Sequence, residues 1–233
     1  MTLPRFQFPS SLFAALLAAT AGACSPEVRE GDAAAVAPGS AATEAPKDPR
    51  VSAADAGRIK GDSTASVWLV EASDFQCPAC KYWHDNVSAE IVRDYVETGK
   101  VRFAYINFPL SQHRNARPAA EAAMCAAAQG KFWDMHDRIF QSQEEWSVLV
   151  DPMARMRELA AGVGVDLALW DSCVAEDVML PMIDGDLARG NASGVGETPT
   201  FFIGSQVVGG AIPARQLRPL LDEAIARAGG ASR

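Results

Sequence analysis

The stretch SDFQCPACKYWHD, residues 73–85, decides how the rest of the chain is read. It holds two cysteines, Cys77 and Cys80, with Pro78 and Ala79 between them. Three uses compete for such a pair: half of a metal site, a short structural disulfide, or a redox couple. A structural zinc site needs four ligands. The chain has no second C-x-x-C, and its histidines, His84, His113 and His136, are scattered along the sequence, so no metal is expected. A disulfide across two residues closes too small a loop to stabilise much. The redox use has mechanical support from the flanks. SVWLVEAS, residues 66–73, is β-branched and aromatic and reads as a buried strand. Pro78 suits the first turn of a helix, where its missing N–H is no loss. Cys77 therefore falls where a helix begins directly after a strand. Free amides and the positive end of the helix dipole favour a thiolate there, and a stabilised thiolate leaves readily in thiol–disulfide exchange. Cys80, one turn further in, is the less accessible partner.

Outward from this point the pattern extends on both sides. The helix after Pro78 is expected to run to about Val96 and stop before Gly99. RIK followed by GD, residues 58–62, reads as a short edge strand and turn. KVRFAYINF, 100–108, is a second strong strand, and TPTFFIG, 198–204, and QVVGG, 206–210, are later ones. From about Asn115 to Gly190 the spacing is helical throughout. DPMARMRELAAGVG opens on Asp-Pro and ends on glycine, a helix with both signals. VMLPMIDGDLARGNA is expected to be interrupted at Pro181, and residues 213–228 close the chain as an amphipathic helix. Phe132, Trp133, Met135, Ile139 and Phe140 recur at helical spacing and read as core. His113 reads as a helix cap, with lining of the active-site groove as the alternative, and His84, two turns along from Cys77, as too distant to act. The Asn191-Ala192-Ser193 sequon carries no weight in the reading. The order of elements predicts an α/β fold: a mixed central sheet flanked by helices, with an all-helical domain inserted.

The N-terminus reads differently. SLFAALLAATAGA, residues 11–23, is an apolar run after Arg5, too short for a permanent membrane span and suited to a secretory signal. Ala21, Gly22 and Ala23 supply the small residues for cleavage before Cys24. Cys24 is a candidate for lipidation, as in a bacterial lipoprotein, or is left as a free terminal thiol. Residues 24–56, rich in Ala and Pro with Pro26, Pro38, Pro46 and Pro49, are expected to be a flexible tether. Removing residues 1–23 takes away only Arg5, leaving 20 basic against 29 acidic residues, a net charge of −9. That balance, without basic patches interleaved with aromatics, argues against nucleic-acid binding. With Cys24 set aside, four cysteines remain, an even number in a compartment where disulfides persist. Cys125 and Cys173, both in the helical block, are expected to be a structural bridge, with buried thiols or a second redox relay as the alternatives.

VWLVEASDFQCPAC at the end of one strand, INFPL at the end of the next, a helical insert and then GETPTFFIG together resemble the DsbA-like branch of the thioredoxin superfamily. The resemblance spans about Gly57 to Ala228. It implies a thioredoxin fold divided into residues 57–111 and 193–230, with the helical domain 112–192 inserted. It implies that Cys77 is the nucleophile and Cys80 the resolving cysteine. It implies that Pro199 is a cis-proline facing the pair, with Thr198 offering its backbone to a substrate strand. Glu71 is then the buried acid that exchanges a proton with Cys80. The implied activity is disulfide exchange with exported protein thiols in the periplasm or cell envelope. No cofactor is implied beyond the cysteine pair, and a membrane redox partner is implied for recycling it. The expected direction is the introduction of disulfides, with isomerase, dedicated reductant of a partner protein and non-catalytic binding module as the alternatives; the oligomeric state is open. Ala79 departs from the histidine found at that place in the strongest oxidases of the family, so Cys77 is expected to be less acidic, with Lys81 compensating in part.

Overall fold

Strand β2, Val67–Ser73, lies at the centre of a five-stranded sheet. The computed structural model describes residues 48–230. The proposed signal segment, Cys24 and all of the tether up to residue 47 lie outside the described residues. β2 pairs in parallel with β3, Val101–Asn107, and antiparallel with β4, Thr200–Ile203. The two-residue strand β1, Ile59–Lys60, closes one edge antiparallel to β3, and β5, Gln206–Gly209, the other antiparallel to β4. The sheet is thus mixed, in the order β1-β3-β2-β4-β5.

The tether ends earlier than the sequence suggested. Residues Pro49–Gly57 form helix α1. Pro49, which counted against a helix, sits in its first turn, where no N–H is needed. Asp48 caps that turn by accepting from the Arg50 amide at 2.8 Å. Ala54 is fully buried in the core that α1 helps to cover. Gly57 lets the chain pass close by: a Cβ there would lie 2.8 Å from the carbonyl oxygen of Ala127.

The helix after Pro78 runs to Val96 as expected, but it is not uniform. α2, Pro78–Trp83, passes into a π turn at His84–Ser88, then α3, Ala89–Ile91, then a second π turn at Val92–Val96. Six helices make up the insert: α4 (Ala116–Ala127), α5 (Phe132–Gln141), α6 (Gln143–Trp146), α7 (Met153–Gly162), α8 (Leu167–Ala175) and α9 (Leu180–Ala192). Gly130, with φ +71°, separates α4 from α5. Pro181 does not interrupt its helix; it lies in the first turn of α9 and starts it. α10, Ala214–Gly230, ends the described chain.

Cys125 and Cys173 are joined, with an S–S distance of 2.06 Å and Cα atoms 5.8 Å apart, stapling α4 to α8. One apolar cluster joins the insert to the sheet through Phe75, Tyr105, Phe132, Met135 and Phe140, and it includes Cys77 and Cys80. A second, on Leu69, Trp83, Phe103, Phe201 and Leu217, seats the long helix and α10 on the sheet. Trp133 packs against both.

Candidate active site

Cys77 is the N-cap of α2, with extended backbone, and the turn before it is held by the Cys77 amide donating to the Asp74 carbonyl at 3.0 Å. Pro78 occupies the first helical turn, as expected. Cys77 is 6% exposed and Cys80 fully buried; the two are unbonded. Their acidities diverge. The Cys80 thiol hydrogen-bonds the Cys77 sulfur and, with the amides of Cys80 and Ala79, brings Cys77 down to about 6 in spite of its burial. Burial pushes Cys80 well above the ordinary thiol range, and the neighbouring Cys77 sulfur adds to it. One sulfur is held as a thiolate and the other as its proton donor.

Thr198 and Pro199 meet the pair from the other half of the fold. Their peptide bond is cis. The Cys77 thiol, when protonated, donates to the Thr198 carbonyl at 3.3 Å. The Pro199 carbonyl accepts from Gly210 at 2.7 Å, which ties this turn to the end of β5.

Glu71 lies on the inward face of β2, 2% exposed. Burial pushes its carboxyl up to about 7, against a smaller opposing pull from the neighbouring Ser73 hydroxyl. Its Oε2, the Ser73 hydroxyl and the Tyr105 hydroxyl have no well-formed hydrogen-bond partner among the described residues. Like charge couples the site: Glu71 raises the pKa of Cys80, and Cys77 raises that of Glu71. A carboxyl with a pKa near neutrality, beside a buried thiol, is suited to exchange a proton with it.

Sequence reasoning missed the residues that hold the turn in place. Asp74, 1% exposed, accepts from the Gln76 amide at 2.7 Å through one oxygen. Its other oxygen accepts from the Leu110 amide and faces His113 Nδ1, both at 2.8 Å. His113 is therefore not a helix cap; it lines the groove beside Cys77. Gln143, from the insert, donates to the carbonyls of Phe75 at 2.7 Å and Cys77 at 3.1 Å. Gln76 donates to Ser147 at 3.0 Å and accepts from the Asn115 amide at 2.7 Å. The Asp-x-Gln spacing of an Asx turn was the one legible signal for Asp74; the glutamines gave none. Lys81, offered as a substitute charge for Ala79, is engaged elsewhere, with Asp85 at 2.7 Å and the Phe140 carbonyl at 3.1 Å. An open cleft of about 620 Å³ adjoins Cys77, lined by Gln76, Pro78, Tyr82, His113, Gln143 and Val148 among others. His84 and His136, scattered in sequence, come together with Asp137.

A family model described as thioredoxin matches residues 53–223. The probable disulfide bond formation protein D of Bacillus anthracis is 38% identical over 91 residues, 37% of this chain and 42% of that protein. The Na(+)/H(+) antiporter NhaA 3 of Salinispora tropica is 35% identical over 150 residues, 64% of this chain and 22% of that protein. The chain thus spans less than half the length of these curated relatives. Among solved structures, oxidised BdbD from Bacillus subtilis superposes with a TM-score of 0.67 at 20% identity, covering 73% of this chain and 94% of that one. Wolbachia pipientis α-DsbA1 gives 0.67 at 23%, covering 76% and 94%. A family match across most of the chain leads to one conclusion: the chain belongs to the thioredoxin family, on a fold it shares with these DsbA structures.

Proposed function

We propose that the chain is an exported thiol–disulfide oxidoreductase that oxidises protein thiols through Cys77 and Cys80. The observation that carries this is the opposed acidity of the two sulfurs at a helix start, backed by Glu71 and faced by Thr198–Pro199. In the oxidised enzyme a substrate thiolate attacks Cys77 Sγ. The Cys77–Cys80 bond breaks, and its electron pair leaves on Cys80, which takes a proton from Glu71. A second substrate thiolate then attacks the substrate sulfur of the mixed disulfide. Cys77 leaves as a thiolate, the substrate is oxidised by two electrons, and the enzyme is left as the dithiol. The backbone of Thr198 pairs with the substrate segment, and the cleft at Tyr82 and Val148 receives its apolar side chains.

The cysteine pair is the redox centre, and no cofactor is invoked. Residues 1–23 direct export, Cys24 is the candidate lipid anchor, and a membrane partner reoxidises the dithiol. None of the helices among the described residues is long and apolar enough to cross a membrane. Ala79 favours a second reading, a milder role as isomerase or dedicated reductant of a partner protein, because it adds no charge beside the thiolate. The reduction potential of the pair separates the readings. An oxidant lies toward about −120 mV, an isomerase near about −180 mV and a reductant toward about −270 mV. Cys77→Ser is expected to abolish oxidation of a dithiol peptide while leaving partner binding intact. Full function in that variant would instead mean a binding module.

A further inference from the structure

Behind the cysteines, the active-site helix and the insert meet in a cluster that the exchange chemistry does not use. His84 opens the π turn that follows α2. Such turns insert a residue into the helix, re-aim side chains and recur at functional sites. From there His84 reaches toward α5. Its Nδ1 lies 2.8 Å from Asp85 Oδ1 and its Nε2 lies 3.2 Å from Asp137 Oδ1. His136 Nδ1 lies 2.7 Å from the same Asp137 oxygen. One ligand atom from each of His84, His136 and Asp137 falls within 4.8 Å of the other two.

The proton count at this cluster is informative. With the Nδ1–H of His84 donated to Asp85, the neutral ring turns its Nε2 lone pair at a carboxylate oxygen. Two electron-rich atoms at 3.2 Å need a positive charge shared between them: a proton or a metal ion. Asp85 stands where an orienting carboxylate stands behind a metal-bound histidine. His136 is sealed among Phe75, Tyr105, Phe132 and Phe140, with its Nδ1 turned toward Asp137. Tetrahedral zinc with bonds of about 2.1 Å needs donors about 3.4 Å apart. The two histidine–carboxylate spacings, 3.2 and 2.7 Å, are shorter than this, the two histidine nitrogens lie within 4.8 Å of each other, and the half-exposed Asp137 side chain has room to move out. That exposed side leaves a fourth position open to water.

We propose that His84, His136 and Asp137 bind one divalent first-row metal ion of the zinc class, which ties the active-site helix to α5. Two imidazoles and one carboxylate suit such ions and not calcium, which takes oxygen ligands. Lys60, half-buried over the Trp133 ring at 3.8 Å, is the opposing charge nearby, and Lys81 neutralises the far oxygen of Asp85. Both make this an exchangeable site rather than one the fold depends on.

The test is zinc titration by calorimetry of the full chain in its disulfide-closed form, where Cys77 and Cys80 offer no thiolates. One zinc per chain is expected, with a matching rise in melting temperature. Asp137→Asn and His84→Gln should each weaken binding about a hundredfold, and Asp85→Asn about tenfold. Glu90→Gln, outside the cluster, should leave it unchanged. If His84→Gln fails to fold, Asp137→Asn alone decides. No one-to-one uptake, uptake undiminished in Asp137→Asn, or equal uptake of calcium would overturn the proposal and leave a protonated His84 bridging two carboxylates.

Discussion

At the scale of single residues the chemistry turns on Cys77 and Glu71. With Cys77 brought down to about 6, its alkylation rate should rise with pH through a midpoint near 6 rather than near the ordinary thiol value of 9.0. Iodoacetamide labelling across pH reads it directly. Ala79→His adds a charge beside the thiolate, so that midpoint should fall and the measured potential become more oxidising. Glu71 carries a stability signature. Folding raises its pKa from 4.5 to about 7. The favourable protonated state is therefore fully present below 4.5 and lost as pH climbs through 7. That loss amounts to about 3 kcal/mol in the reduced protein. Glu71→Gln should remove this slope in urea unfolding and slow reduction of the disulfide on the order of a hundredfold in stopped flow. Cys77 and Cys80 were legible from their spacing and the helix start at Pro78, whereas the placing of Glu71 and of the Thr198–Pro199 turn followed from the family resemblance. His113 was misread because its partner, Asp74, is 39 residues away in sequence.

At the scale of elements, strands β2, β3 and β4 were legible to within two residues, since apolar β-branched runs bounded by turn residues leave few alternatives. Helix α1 was not, because proline counts against a helix everywhere but its first turn. The π turns after α2 left no trace in the sequence. The hydrogen bonds between the insert and the active-site turn belong to this scale as well. Gln143→Ala frees two buried carbonyls, at Phe75 and Cys77, and should destabilise the protein by about 1–3 kcal/mol. Its cysteine midpoint should also broaden or shift, which a purely structural loss would not produce. In α9, a Cβ on Gly190 would lie 2.6 Å from the Phe108 ring. Gly190→Ala should therefore cost about 1–3 kcal/mol by overpacking, read from the urea midpoint.

At the scale of the whole molecule, the insert and the sheet share one apolar cluster, and the disulfide closes a 48-residue span within the insert. Chain-entropy reasoning gives about 4 kcal/mol for such a loop. The Cys125→Ala, Cys173→Ala double variant should lose up to that much, and mass mapping after alkylation should find Cys77 and Cys80 blocked but Cys125 and Cys173 unblocked in wild type whose active-site pair alone has been reduced. The insertion of a helical domain was legible from the switch between periods, but its attachment through Gln76, Asn115 and Gln143 was not, because amide side chains carry no periodic signal. The bridge between α4 and α8 has one more implication under the proposed role. A newborn chain arrives with five cysteines unjoined and must have Cys125 and Cys173 paired before its helical cap is secure. Every copy is thus a client of an older one, or of another oxidant, before it can serve any other protein. The supply of working enzyme should then recover from full reduction with a lag that shortens when finished copies are added.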